Sequence, residues 1–350
     1  MVDALVETAP GRRTRLAILT AMEYRRLGRS GLKVSALSFG SWVTFANQVD
    51  DRSAVELMKL AHDAGVNFFD NAEAYANGES ERVMGRALKK LGLGRDTYCV
   101  SSKVFWGGKL PTQRGLSKKH VVDCCNAALE RLGVDYLDLY FCHRPDLDTP
   151  IEETVRAMHD LVAQGKVLYW GTSEWRADEI AEAHGVARAC GITPPTMEQP
   201  QYNLFVRGKV EREYARLYDA CGLGLTIWSP LASGVLTGKY AEGVPKGSRM
   251  ALPEYQWLKA MLDSEEGRMR VQQTRELAAV AKDLGASVAQ LAIAWCLLNP
   301  NVSTVILGAT QPAQLTENLV ALELVPRLDA GVRERIERIV QTKPAPLERF

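Results

Sequence analysis

Four polar side chains of complementary chemistry stand where the sequence predicts that buried strands end. Asp70, Lys103 and His143 each close a short apolar run, and Tyr75 follows soon after Asp70. The carboxyl ends of parallel strands lie at one edge of a sheet, so we expect these side chains to meet. A carboxylate, a phenol, an ammonium and an imidazole in one place can together deliver a proton to a substrate oxygen.

The phenol is the proton donor that this set predicts. Its ordinary pKa lies near ~10, but an ammonium about 4 Å away contributes about 4 kcal/mol at an effective dielectric near 20, or roughly three pKa units. Lys103 is therefore expected to bring the pKa of Tyr75 close to neutrality, with Asp70 keeping Lys103 charged and aimed. His143 would hydrogen-bond a carbonyl oxygen, so the set predicts acid-assisted carbonyl reduction.

Each member of the set also has a structural explanation when taken singly. Asp70 could cap a loop, Tyr75 could be a rim aromatic, Lys103 a solvated strand end and His143 a core histidine. Their occurrence together at the ends of three consecutive strands favours a catalytic site.

The elements that must position these residues alternate regularly between apolar runs and segments of helical period. The near-continuous apolar runs indicate a parallel sheet covered on both faces. Eight repeats favour a closed barrel over an open doubly wound sheet, and the glycine pairs at 92/94 and 222/224 lack the third glycine of a dinucleotide fingerprint. The predicted strands are 35–40, 66–70, 98–103, 137–143, 167–172, 196–199, 224–229 and 304–307.

The predicted fold class is therefore α/β, a single (β/α)8 TIM barrel. Residues 24–36 are predicted to form an N-terminal β-hairpin across one end, and 241–267 a long loop at the C-terminal face. Residues 1–21 are interpreted as a disordered extension, because their apolar run is too short for a secretory signal. One barrel domain is expected over 22–350. The first barrel helix is expected to begin with Asp51 as its cap.

Composition narrows the function classes. The 43 basic and 42 acidic residues give a formal charge of +1, which does not favour nucleic-acid binding. No stretch approaches the roughly 18 apolar residues of a membrane span. Seven scattered cysteines without a C-x-x-C pair indicate a reduced, cytoplasmic protein, and no metal site is expected although Cys142 adjoins His143.

Several longer motifs resemble one known family. They are GSW at 40–42, FFDNAEAYANGESE at 68–81, SSK at 101–103, HRPD at 143–146, GTSEW at 171–175, EQPQYN at 198–203, WSPLASGVLTGKY at 228–240, YQWLK at 255–259 and LGATQPAQLTEN at 307–318. Over 24–321 the chain is similar to the aldo-keto reductases, and especially to the potassium-channel β-subunit branch and its bacterial relatives. The resemblance implies a tetrad of Asp70, Tyr75, Lys103 and His143, with NADPH as hydride donor and a small carbonyl substrate.

The cofactor is expected at the loops that follow strands seven and eight, where barrels usually hold phosphate. Gly308 and Thr310 precede a helix whose free N–H groups suit an anion. The resemblance places the 2′-phosphate and adenine at Thr310, Gln314, Arg249, Glu317 and Asn318. It places the pyrophosphate and ribose at Ser229, Pro230, Leu231, Ala232, Ser233 and Lys239. It places the nicotinamide end at Gly40, Ser41, Trp42, Gln48, Asp70, Ser173, Gln199 and Trp228.

The substrate is expected against Trp42, Tyr75, Trp106 and His143. Channel β-subunits typically carry asparagine where this chain has His143, which favours an enzyme over an accessory subunit of a membrane channel. They also carry arginine where this chain has Glu174. The alternatives kept are an NADPH-binding accessory subunit with little turnover and a metal-dependent barrel hydrolase. Homo-oligomers occur in this branch of the family and are possible here.

Overall fold

Eight parallel strands close into a barrel in the computed structural model, which describes residues 22–42, 44–246, 248–252 and 255–347. An antiparallel pair, β1 (Tyr24–Arg26) and β2 (Lys33–Ser35), precedes them. In spatial order β10 pairs with β3 and β9, and the others follow one another along the chain. The barrel strands are β3 (Leu37–Gly40), β4 (Phe68–Asp70), β5 (Cys99–Val104), β6 (Leu137–Cys142), β7 (Val167–Thr172), β8 (Met197–Glu198), β9 (Gly224–Ile227) and β10 (Val302–Leu307).

Helices cover the outside of the barrel and connect successive strands. Their apolar faces pack on strands that are buried along most of their length. The helices are α1 (Asp51–Asp63), α2 (Glu79–Leu91), α3 (Lys118–Leu132), α4 (Ile151–Ala163), α5 (Ala177–Cys190), α6 (Ala215–Cys221), α7 (Gln256–Asp263), α8 (Glu265–Asp283), α9 (Val288–Leu297), α10 (Pro312–Leu319), α11 (Ala321–Leu324) and α12 (Ala330–Val340).

The hairpin closes the N-terminal end of the barrel. Leu27 and Val34 pack in one buried cluster with Phe68 and Met197, which lie at the first positions of their strands. The turn requires glycine at Gly28, where φ is +57° and a Cβ would lie 2.2 Å from the carbonyl oxygen of Gly222. An apolar seal at this end leaves the C-terminal end for polar chemistry.

The predicted barrel and hairpin are confirmed, and all eight strands form, with ends that differ from the prediction by at most two residues. The prediction that Asp51 caps the first helix is wrong. Asp50 has the extended backbone that a cap needs and accepts a 2.8 Å bond from the Ser53 amide, while Asp51 pairs with Arg86. The predicted loop 241–267 also contains the helix α7 and the first residues of α8, because Leu258 and Leu262 bury one face of α7 and Ser264 caps α8.

The remaining sequence expectations concern the N-terminal extension, the cysteines and membrane-spanning segments. The extension 1–21 lies outside the described residues. The seven cysteines are all free thiols. Among the described helices none is by itself long and apolar enough to cross a membrane, and only the pair α8 and α9, bent by 85°, passes that test together.

Candidate active site

The four predicted catalytic residues meet at the C-terminal end of the barrel. Lys103 Nζ donates to Asp70 Oδ2 at 2.7 Å, to the Asn71 carbonyl oxygen at 2.7 Å and to the Tyr75 hydroxyl at 3.1 Å. These bonds use all three ammonium protons, and the Lys103 side chain is wholly buried. The Tyr75 oxygen accepts from Lys103, so its own proton remains available for another acceptor.

The electrostatics of Tyr75 differ from the sequence expectation. Burial and the Asp70 carboxylate raise the pKa of Tyr75 well above 10, and Arg144 only partly opposes them. Lys103 does not bring this pKa towards neutrality, because its charge is paired with Asp70 at 2.7 Å and the Asp70 carboxylate also acts on the phenol. Burial also lowers the pKa of Lys103, against the opposing effect of Asp70. Tyr75 is thus a neutral phenol, with an ammonium placed to stabilise the phenolate as it forms.

His143 lies beside the phenol in a neutral state. Burial, with the Lys103 and Arg144 charges, lowers its pKa well below 6.5. Its Nδ1 is buried and has no hydrogen-bond partner among the described residues. A neutral imidazole carries one proton, and a proton on Nδ1 would be buried without an acceptor, which favours the tautomer protonated at Nε2. The tetrad therefore holds two proton donors, the phenol and this imidazole.

Aromatic rings surround these donors, as the sequence predicts. The ring centroids of Tyr75 and His143 are 5.8 Å apart, and those of Trp106 and His143 are 4.9 Å apart. Trp42 lies 6.5 Å from Tyr75 and 6.0 Å from Trp228. The structure brings the predicted substrate wall and Trp228 together at one end of the barrel.

Several residues predicted at the nicotinamide end connect directly to Asp70. Gly40 pairs with Asp70 in the sheet, and Ser41 donates its amide and hydroxyl to the Asp70 carbonyl oxygen at 3.1 and 3.0 Å. Gln199 Nε2 donates to Asp70 Oδ1 at 3.2 Å, and the Ser173 hydroxyl donates to the Gln199 carbonyl oxygen at 2.9 Å. Gln48 is exposed in the loop before α1.

The turn after β9 has an unusual backbone. Ser229, Ala232 and Ser233 adopt φ values of 56°, 47° and 55°, in the left-handed region that non-glycine residues rarely enter. The Ser229 hydroxyl accepts the Ser233 amide at 3.1 Å, which holds this conformation together with the intervening Pro230 and Leu231. Lys239 is exposed a few residues further on. The turn lies directly after Trp228.

The loop after β10 ends at the start of α10. Gly308 is exposed, and a Cβ at this position would meet nothing within 4 Å. Gln314 Oε1 accepts the amide and hydroxyl of Thr310 at 2.9 and 3.2 Å, so a side-chain oxygen occupies donors that the resemblance assigns to a phosphate. Glu317 is exposed and Asn318 is buried. The side chain of Arg249 lies outside the described part of the structure.

Two side chains that sequence reasoning left out support the tetrad. Ser101 donates to Asp70 Oδ1 at 2.9 Å, and its position two residues before Lys103 places both on one face of β5. Arg144 follows His143 directly and lies over Trp106, with its guanidinium carbon 5.1 Å from the ring centroid. The sequence held a signal for each of them. Ser101 lies two residues before Lys103, so both face the same side of a strand, and Arg144 is the residue next to His143.

The carboxylate of Glu174 bonds to groups from neighbouring loops beside the candidate site. Its carboxylate accepts Trp228 Nε1 at 3.1 Å and the Gln201 amide at 2.6 Å. Lys209 Nζ lies 2.9 Å from the same carboxylate. Glu174 thus ties together the loops that follow β7, β8 and β9.

A second charged cluster lies beneath the loops that carry Tyr75 and Trp106. Glu73, His120 and Cys124 bring potential metal-ligand atoms within 4.8 Å of one another. Sequence reasoning missed this group, because His120 and Cys124 come from α3. Glu73 accepts the Phe105 amide at 2.6 Å and lies 3.3 Å from His120 Nε2, while His120 Nδ1 lies 2.8 Å from the Gly115 carbonyl oxygen. The carboxylate and imidazole are therefore already engaged by the protein.

Fold and site together define a barrel whose polar end holds a proton-donating cluster, the arrangement typical of barrel enzymes. The model of the Aldo/keto reductase family matches residues 36–341, and this chain belongs to that family. The match extends further towards the C-terminus than the motifs predict. Family membership implies oxidoreductase activity on carbonyl compounds with a nicotinamide cofactor.

Relatives named as channel subunits are similar along almost the whole chain. The "Probable voltage-gated potassium channel subunit beta" of Oryza sativa subsp. japonica is 52% identical over 332 residues, which cover 94% of this chain and all of the relative. The protein of the same name from Arabidopsis thaliana is 50% identical over the same shares. The predicted resemblance to this branch is confirmed.

Proposed function

We propose that this protein reduces small aldehydes or reactive ketones to alcohols, using NADPH, with Tyr75 as the general acid. The observation that carries the proposal is the bonding of Lys103, which donates to the Tyr75 oxygen and leaves the phenolic proton free. The balanced reaction joins a carbonyl compound, NADPH and one proton to give an alcohol and NADP+.

The protein's own groups act on the carbonyl oxygen. Tyr75 donates its proton there, and His143, protonated at Nε2, donates a hydrogen bond that orients the carbonyl. The high pKa of Tyr75 keeps the phenol protonated at rest, so the proton leaves only as negative charge develops on the substrate oxygen. Lys103 then stabilises the phenolate until solvent returns a proton.

The residues present fit a nicotinamide dinucleotide. Bound NADPH supplies the hydride that reduces the carbonyl carbon. Trp228, Ser173 and Gln199 would hold its nicotinamide end, since they adjoin Asp70 or the aromatic wall. The turn from Ser229 to Ser233 would hold its pyrophosphate, and the start of α10 would hold its 2′-phosphate once Gln314 releases the amide and hydroxyl of Thr310.

The preference for NADPH over NADH rests on Arg249, Thr310 and Gln314. If these residues surround a 2′-phosphate, Arg249→Ala should weaken NADPH binding and leave NADH binding unchanged. Titration of each cofactor against tryptophan fluorescence measures both. Equal losses for NADPH and NADH would refute this placement.

The main test compares wild type with Tyr75→Phe. Oxidation of NADPH in the presence of an aldehyde panel should fall by about 10²- to 10⁴-fold in the variant, because the ring remains and only the proton donor is lost. Unchanged NADPH binding shows that the variant is folded. Equal rates in the two proteins would refute the catalytic assignment.

A second candidate is a cofactor-binding accessory subunit of a membrane channel. The names of the relatives from Oryza sativa and Arabidopsis thaliana favour it. Copurification with a channel, together with negligible turnover of every aldehyde, would support this candidate instead. A cytoplasmic location, a single domain over 22–350 and a homo-oligomeric state stay predictions.

A further inference from the structure

Arg144 lies beside the proposed catalytic groups without a carboxylate partner. Its Nη1 donates to the Ser173 hydroxyl at 3.3 Å and also to the His143 carbonyl oxygen. Its Nε and Nη2 make no hydrogen bond, and its guanidinium no ion pair, with any residue in the described ranges. Nε and Nη2 form the side-on fork with which arginine binds a carboxylate through two parallel bonds. This fork is partly exposed at the open end of the barrel.

The fork is close to the place where a carbonyl would be reduced. Trp106 contacts both groups, with its ring centroid 4.9 Å from that of His143 and 5.1 Å from the guanidinium carbon of Arg144. Arg144 also contributes to the electrostatic field at Tyr75 and His143. A small molecule that presents its carbonyl to Tyr75 and His143 therefore lies within reach of this cation.

The carboxylates near Arg144 form no ion pair with it among the residues that the structure describes. Asp70 pairs with Lys103 at 2.7 Å, and Glu174 pairs with Lys209 at 2.9 Å. Glu198 is wholly buried, and burial raises its pKa to about 8, so it is neutral at pH 7. Its nearest partners are the hydroxyls of Thr172 and Tyr214. Burial lowers the pKa of Arg144, and the charge of Glu174 is the largest effect that opposes this, although the Glu174 carboxylate itself pairs with Lys209.

We propose that Arg144 recognises a carboxylate on the substrate, so that the carbonyl compounds reduced best by this protein are aldehydes bearing a carboxylate. This inference rests on the proposed reductase function and names its substrate class. Arg144 acts as a specificity residue that binds the far end of the substrate while Tyr75 and His143 bind the carbonyl oxygen. A partly buried guanidinium favours this ligand because the alternative is an unpaired cation.

The test uses aldehydes that differ in charge and hardly in shape. The 3- and 4-formylbenzoates are compared with the corresponding formylbenzamides, and kcat/KM is measured with NADPH. At least one formylbenzoate should exceed its amide by about 10- to 100-fold, as expected for a charge-assisted bidentate contact. The position of the carboxylate on the preferred isomer reports the distance from the carbonyl to Arg144.

Variants assign the preference to Arg144. Arg144→Gln should bring the acid-to-amide ratio to about one, and Arg144→Lys should keep part of the preference, because it keeps the charge and loses the fork. Because both substrates are measured with the same variant, a general loss of activity does not change the acid-to-amide ratio. Arg156→Gln, which removes an exposed arginine from α4, is the matched control and should leave the ratio unchanged. A preference that survives Arg144→Gln would overturn the inference.

A binding measurement separates this inference from the reductase proposal. Benzoate and benzamide are titrated into the NADPH-saturated full-length protein, with tryptophan fluorescence as the readout, so that no turnover is needed. Benzoate should bind more tightly to wild type, and Arg144→Gln should abolish the difference. Equal reduction of acid and amide by wild type would overturn the inference alone. Reduction of neither would refute the reductase proposal, and the benzoate titration would then decide the role of Arg144.

Discussion

The Asp70–Lys103–Tyr75–His143 cluster and the Glu73–His120 pair are both buried, charged and close in the fold, yet they are bonded differently. In the first, the phenolic proton and the proton of His143 have no acceptor in the described structure. In the second, both carboxylate oxygens and both ring nitrogens have partners. The catalytic groups thus keep hydrogen-bond donors that no protein group accepts, whereas the hydrogen-bonding atoms of the Glu73–His120 pair all have partners within the protein.

The largest effect that separates the two clusters is expected from Lys103→Met. It leaves the buried Asp70 carboxylate without its counter-ion, which should cost about 3–5 kcal/mol in the free energy of unfolding and also abolish most turnover. Urea unfolding and kcat measure the two losses. The double variant Lys103→Met, Asp70→Asn should recover stability without recovering activity. Recovery of activity would show that the ammonium is not needed for proton transfer.

Glu73→Gln is expected to have a smaller effect, which falls on stability and hardly on turnover. The amide oxygen can still accept the Phe105 amide, but the ionic contact with His120 is lost, at a cost of about 1–3 kcal/mol in unfolding free energy. kcat should change far less than in Lys103→Met. Glu130→Gln, on the exposed face of α3, is the control and should change neither quantity. A fall in kcat without a fall in stability would place Glu73 in the catalytic cluster.

His143 tests how much a single hydrogen bond in the catalytic cluster contributes to kcat/KM. Its pKa lies well below 6.5, so wild type should show no inflection from this residue near pH 6.5 in kcat/KM. His143→Ala should lower kcat/KM by roughly 3- to 10-fold, the amount expected for one neutral hydrogen bond. A pH–rate profile of both proteins is the measurement. An inflection near 6.5 that disappears in His143→Ala would contradict the neutral assignment.

The smallest effect concerns His120. Burial opposes its protonation, but the hydrogen bond and charge of Glu73 leave its pKa above 6.5. A pKa raised on folding adds stability that is complete below 6.5 and is lost as the pH rises through the folded value. His120→Asn should therefore reduce the loss of stability of wild type on the alkaline side, measured by urea unfolding at several pH values.

His184 provides the control of opposite sign. Burial lowers its pKa below 6.5, so its contribution to stability is lost as the pH falls from that value. His184→Asn should change the acid side of the profile only. If His120→Asn altered the acid side as well, the pairing with Glu73 would not explain its raised pKa.

The fold was largely predictable because the barrel repeats one simple pattern eight times. Apolar runs such as Val167–Thr172 are recognisable singly, and their number decides between a closed barrel and an open sheet. The ends of the strands were harder to predict. In β8, for example, only Met197 and Glu198 of the predicted run 196–199 pair with the neighbouring strands. The cap of α1 was assigned one residue too late, since two aspartates stand side by side and only backbone geometry separates them.

The order of residues was enough to place Asp70, Lys103 and His143 at strand ends, with Tyr75 shortly after Asp70, and so to predict that the four meet. It could not determine the protonation of those residues, because a pKa depends on burial and on charges brought together from distant parts of the chain. That Asp70 pairs with Lys103 and that Tyr75 stays a phenol follow from the folded arrangement. The same holds for the ion pair of Glu174 with Lys209, and for Arg144, which has no ion pair with any described carboxylate, since these residues lie far apart in sequence and meet only when the barrel closes.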